Sequence, residues 1–158
     1  MRFLLALIFF LIGCYENKIS EKTLSNKTKT DLKLMNQNKS IDILKIDSLL
    51  FYNPERWNEI VNLSNKFNDI TAYNSNNKSK IKSISVDLKQ IDESNIPFPF
   101  NTPAIIGRLK VLKTYVYKVD LYKEQENNAE IFIKDFNLIL NSYNFLINQI
   151  NIVAREFE

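Results

Sequence analysis

Between residues 132 and 157, apolar side chains recur at alternating steps of four and three. Phe132, Phe136, Ile139, Tyr143, Leu146, Ile150, Val153 and Phe157 are separated by 4, 3, 4, 3, 4, 3 and 4 positions. A strand would need a period of two, whereas this mean period of 3.5 puts one stripe along an α-helix for about four heptads. Ile131, Leu140, Ile147 and Ala154 widen the stripe. A bare two-stranded coil needs only the narrow seam, so the wider face predicts several helical neighbours.

The same spacing marks three earlier segments. Ile105, Leu109, Leu112, Val116 and Val119 follow Thr102-Pro103, a hydroxyl N-cap residue with proline at the first helical position. Ile81, Ile84, Leu88 and Ile91 form a second stripe. Trp57, Ile60, Leu63, Phe67 and Ile70 form another, in a helix expected to start at Asn53-Pro54. Before it, residues 40–52 ("SIDILKIDSLLFY") fit a short helix or a strand. A lone strand has no ladder partner, so a helix bending at Asn53-Pro54 is the expectation. The connections near 74–78, 96–101 and 124–128 are short, which makes consecutive helices antiparallel neighbours. The predicted fold is therefore all-α, an antiparallel up-down-up-down four-helix bundle over residues 39–158. Only two glycines occur in 158 residues, as suits helix interiors.

Helix length adds one packing expectation. A third helix over 103–123 would be about 30 Å long and a fourth over 127–157 about 45 Å. Starting from a shared turn, the fourth overshoots, and Ile150, Val153 and Phe157 need cover. Phe98 and Phe100 of "PFPF" (97–100) reach that end and are expected to pack there. Left exposed, they would instead offer a partner an apolar anchor.

The beginning of the sequence has a different character. Arg2 precedes an unbroken apolar run of ten, Phe3 to Ile12. As a helix this run spans roughly 15 Å, about half a bilayer's hydrocarbon core, which suits the apolar region of a signal peptide and not a membrane span. Leu11-Ile12-Gly13-Cys14 follows, and Cys14 is the only cysteine. This tetrapeptide resembles the lipobox of bacterial lipoprotein signal peptides. The resemblance implies cleavage before Cys14, a diacylglycerol thioether on its sulfur and acylation of the new amine. Residues 1–13 are then a signal peptide and 14–38 a lipidated, polar tether expected to be disordered. Tyr15 stands where, in such lipoproteins, an aspartate can mark retention at the inner membrane, so the resemblance favours the outer membrane. The chain as a whole is similar to short Asn- and Lys-rich helical lipoproteins of Bacteroidetes type. Asp47-Ser48-Leu49 matches the three-residue O-glycosylation motif of such bacteria, which makes Ser48 a candidate for modification.

Composition removes many chemistries. There is no histidine, so no Ser-His-Asp triad, Cys-His pair or imidazole-built zinc site can form. With Cys14 acylated, no thiol nucleophile remains. Gly107 lies within a predicted helix, and no glycine-rich phosphate loop or EF-hand loop is present. Acids are expected on outer faces, with Glu55, Glu59, Glu126 and Glu130 at helix starts where the dipole favours them. A net charge of +3, evenly spread, gives no nucleic-acid footprint. No catalytic residue, metal site or cofactor is expected.

One segment invites a functional reading. Residues 107–124 carry Arg108, Tyr115, Tyr117 and Tyr122, residue types that favour interfaces. They form a candidate partner or ligand face. The plainer account is that the tyrosine rings edge the core and Arg108 pairs with an acid on a neighbouring helix. Two functions follow from the sequence. One is a non-enzymatic interaction module, held at the membrane through lipid on Cys14 and meeting an envelope protein partner on the periplasmic or cell-surface side. The other is a helical bundle binding a small ligand in an apolar cavity between helices.

Overall fold

The computed structural model describes residues 40–47, 57–68, 70, 77–122 and 129–157. The lipobox and tether, Ser48, the helix start at Asn53-Pro54, Glu55, Glu126 and most of the 74–78 and 124–128 connections lie outside these residues. Among the described residues the regular structure is all helical, with four α-helices, one 3-10 turn and no strand: α1 is Asn58–Phe67, α2 Asn77–Gln90, α3 Pro103–Asp120 and α4 Ala129–Glu156, with the 3-10 turn at Glu93–Asn95.

Each stripe read from the sequence points inward. Trp57, Ile60, Leu63, Phe67 and Ile70 are buried, as are Ile81, Ile84, Leu88 and Ile91. So are Ile105, Leu109, Leu112, Val116 and Val119 on α3, and Phe136, Ile139, Tyr143, Leu146, Ile150 and Val153 on α4. Together they form one apolar core. Burying a single large apolar side chain contributes roughly 1.5–3 kcal/mol, so this core is the main source of stability. The α4 seam fades at both ends. Phe132 is half-buried, Phe157 is exposed, and Ile131 is 48% exposed instead of widening the stripe. Ile131 stands in the opening turns of α4, beside the end where α3 stops at Asp120 and Leu121 is also exposed.

Polar contacts fix how neighbouring helices run. Ser85 on α2 donates to Asp120 at the end of α3 (2.9 Å), while Lys113, mid-α3, reaches the Ile91 carbonyl just past α2 (2.9 Å). The numbers rise in opposite senses, so these two helices run in opposite directions. Lys118 meets Asp135, whereas Arg108 and Val111 share a groove with Ser142 and Phe145, so α3 and α4 also run oppositely. Helix α1 touches α4 through Tyr143, whose hydroxyl donates to Ser64 Oγ (2.8 Å) and whose ring stacks on Phe67 at 4.1 Å.

The caps explain where helices begin and end. Thr102 Oγ1 accepts from the Ile105 amide (3.3 Å), and Pro103 occupies the first turn, where its missing N–H costs nothing. Helix α3 stops at Asp120, three residues short of the expected end. The Leu121 amide still bonds to the Tyr117 carbonyl (3.2 Å), and the Tyr122 amide turns back to Val119 (3.1 Å). Asp92 accepts from the amide and hydroxyl of Ser94 (2.9 and 2.8 Å), opening the 3-10 turn. After that turn, Phe98 and Phe100 separate. Phe100 is buried and stacks on Trp57 at 5.7 Å. Phe98 does reach the end of α4, meeting Phe157 edge-on at 5.2 Å, yet stays 72% exposed.

The largest departure from expectation is at residues 40–47, which form no helix. They run as a strap along α4, held by two asparagine side chains. Asn144 donates to the Asp42 carbonyl (2.7 Å) and accepts from the Leu44 amide (2.9 Å). Asn151 repeats the pattern on the Lys45 carbonyl (3.0 Å) and the Asp47 amide (2.9 Å). An unpaired strand is disfavoured because its main-chain groups lack partners. Here helix side chains supply them. Asn144 and Asn151 are seven residues apart, a rise of roughly 10.5 Å. The groups they hold are three strap residues apart, which face the same way in a chain of three residues per turn rising roughly 9 Å, as in polyproline II, and not in a pleated strand. The match lets both amides engage at once.

Candidate interaction surface

The four residues singled out on α3 do not converge. Turning 100° per residue, Arg108 and Tyr115 fall near one face of α3 and Tyr117 on the opposite one, while Tyr122 lies past the end of the helix. The contacts agree. Tyr117 lies on the α2 side, with the Lys89 ammonium 5.7 Å from its ring centre. Burial first, then the nearby Glu93 carboxylate, pushes its hydroxyl above its ordinary pKa. Tyr115 is half-buried against the core edge. Among the described residues Arg108 pairs with no acid, and its Nη1 donates to the Ala104 carbonyl of its own helix (3.1 Å).

Tyr122 belongs to a cluster that sequence reasoning missed. Its hydroxyl donates to Asp135 Oδ2, and its ring leans on Phe132 at 5.8 Å. Lys118 straddles the same carboxylate, 3.0 Å from Oδ1 and 2.9 Å from Oδ2. Asp135 is only 3% exposed, so it does not lie on the expected outer face. Burial alone would raise its pKa. The Tyr122 hydroxyl and the Lys118 ammonium, with Lys134 further off, overcome that and hold it below its ordinary value. The bond to Asp135 raises the Lys118 pKa in turn. For Tyr122, burial and then the adjacent carboxylate raise the pKa. A carboxylate with two committed donors clasps α4 to the end of α3 and presents no free base. The one available signal was its register: Asp135 sits beside Phe136 within the buried stripe.

Two clefts show what the surface offers. The first, of about 390 Å³, lies between α1 and α2 and is lined by Glu59, Asn62, Asn65, Lys66, Asp87 and Gln90. Across it Lys66 pairs with Asp87 at 2.6 Å and donates to Ser83 at 2.8 Å. The second, of about 270 Å³, is the outer groove between α3 and α4, lined by Arg108, Val111, Ser142 and Phe145. It combines exposed apolar side chains, Phe145 being 66% exposed, with the half-buried residue Arg108. Both are open grooves on the bundle exterior. No group of three or more acids or cysteines is placed to hold a metal ion among the described residues, and none of their helices is long and apolar enough to cross a membrane. The chain matches no protein-family model, no curated protein and no solved structure.

Proposed function

We propose that this chain is a lipid-anchored envelope lipoprotein whose helical domain works as a non-enzymatic interaction module. The anchor reading rests on Arg2, the apolar run Phe3–Ile12 and the lipobox-like Leu11-Ile12-Gly13-Cys14. Several acyl chains on Cys14 would hold it firmly, since each buried methylene adds about 0.8 kcal/mol. One observation carries the module reading. Inward-facing apolar side chains are buried, whereas Phe145 and Val111 stand exposed beside Arg108 in an open groove. Aromatic and arginine side chains together are the composition of interface hot spots. A partner with an apolar side chain and a carboxylate would fill the groove and pair with the guanidinium. An envelope protein is the partner class that the anchor makes available.

The test is crosslinking in living cells of the host, followed by pull-down and mass spectrometry. A single dominant partner is expected, lost on Phe145→Asp or Arg108→Glu with the protein still membrane-bound. Cys14→Ala is expected to release the protein from the membrane fraction. A correctly localised, abundant protein with no partner would sink the module reading. A Cys14→Ala protein that stays membrane-bound and cleaved would sink the anchor.

A further inference from the structure

Along residues 40–47 all four asparagine hydrogen bonds end on main-chain atoms. Each asparagine brackets one strap residue, taking the carbonyl before it and the amide after it. The bracketed residues are Ile43, half-buried, and Ile46, buried in the core cluster. Arg155 then pairs with the next side chain, Asp47, at 2.9 Å. The α4 face therefore reads an extended backbone, two apolar side chains three residues apart, and an acid directly after the second. Nothing in that recognition requires the segment to belong to the same chain. The strap lacks helical or ladder bonds of its own, so it opens more readily than the bundle it lies on.

We propose that the α4 face bearing Asn144, Asn151 and Arg155 is a docking seat for an extended segment of an envelope protein, apolar at two positions three apart and acidic after the second, and that residues 40–47 occupy it until such a segment displaces them. The occupant follows from the strap's own fit and from the charge complementarity at Arg155. This deepens the interaction-module reading and rests on it, naming the kind of partner segment and a second contact face beside the Phe145 groove.

The probe is a fluorescent synthetic peptide of residues 40–48, titrated by anisotropy against the full chain in detergent. Leu44→Pro removes the amide that Asn144 accepts from and changes no residue of the four helices. Because a filled seat lowers apparent affinity by the fraction that is open, this variant should bind the peptide about tenfold more tightly than the native chain. Asp47→Pro, which removes the amide at Asn151, is the second version should Leu44→Pro lose helix content by circular dichroism. Adding Asn144→Leu and Asn151→Leu should cost at least about tenfold, because four main-chain groups of the peptide lose their side-chain partners. A peptide with aspartate in place of both bracketed isoleucines should not bind. No saturable binding to either proline variant would overturn the proposal, as would binding indifferent to the asparagines. Equal affinity for the native and proline chains would overturn occupancy by the strap. Failure of the broader reading looks different: the peptide would bind in vitro while cells yield no partner.

Discussion

Helix α4 meets two neighbours with one seven-residue period. Phe136, Tyr143 and Ile150 are buried against other helices, and one position on, Asn144 and Asn151 hold the main chain of residues 42–47. The period fixes where a neighbour can repeat its contact, and side-chain chemistry fixes what kind of neighbour it is. The apolar side removes large areas from water, at roughly 1.5–3 kcal/mol per side chain. The amide side exchanges water for main-chain groups, a net gain of about 0.5–1.5 kcal/mol per bond. One face therefore carries most of the stability, and the other positions a segment that adds only Ile46 to the core cluster.

The most forceful way to break the comparison is to empty the apolar side. Phe136→Ala should destabilise the domain by about 3–5 kcal/mol, read from urea unfolding followed by circular dichroism. The exposed Phe145→Ala on the same helix should stay within about 0.5 kcal/mol. Similar losses for the two would mean that α4 is not seated as described.

The Asp135 clasp comes next. Asp135→Asn leaves Lys118 and Tyr122 with a weaker partner and should cost about 1–3 kcal/mol at neutral pH. Its pH behaviour has a definite sign. The folded carboxyl titrates below the ordinary value of 3.8, so its stabilisation is present above about pH 4 and is lost as pH falls through the folded value. An acid limb unchanged in Asp135→Asn would show that other carboxylates dominate there. At the alkaline side the buried Tyr143 hydroxyl supplies the counterpart. Burial pushes it up to about 12, against a smaller opposing effect from Ser64. Stability should hold up to pH 10 and decline as pH rises towards 12, and Tyr143→Phe should make that decline shallower, leaving the smaller part that Tyr117 and Tyr122 contribute.

These contacts also show what was legible in the sequence. The four inward stripes were plain because apolar burial repeats at the helix's own period and needs no knowledge of the partner. Thr102-Pro103 was equally plain, since capping is local. The strap was not. Its alternation allowed a strand, but its hydrogen-bonding partners lie about a hundred residues away on asparagines that look like ordinary solvated side chains. Asp135 escaped for the same reason, because its donors are distant in sequence, Lys118 on α3 and Tyr122 just past that helix's end. Arg108 and the three tyrosines were singled out as residue types common at interfaces, but the turn of the helix puts Tyr117 on the side opposite Arg108 and Tyr115. Local rules reached the elements, and long-range polar pairing stayed hidden.

On the amide side, Asn151→Ala should cost only about 1 kcal/mol globally. Its effect should instead be local: the Asp47 amide should exchange hydrogen faster while core amides of α4 remain protected. Exchange that accelerates throughout α4 would mean that the strap is an integral part of the core.

The smallest effect is expected at the ion pair that closes the strap. Arg155 and Asp47 meet at 2.9 Å, but the arginine side chain is 64% exposed, so water and salt screen the attraction. Arg155→Ala should change stability by no more than about 1 kcal/mol, and less at 1 M salt than at 0.05 M. Its value lies in the contrast with Asn151→Ala, four residues away on the same face. Amide exchange at Asp47 should respond to salt in the native chain and lose that response in Arg155→Ala. In Asn151→Ala the exchange should be fast at every salt concentration. If Arg155→Ala instead released the strap as fully as Asn151→Ala, charge and not main-chain pairing would hold residues 40–47, and the seat would select acids before extended backbone.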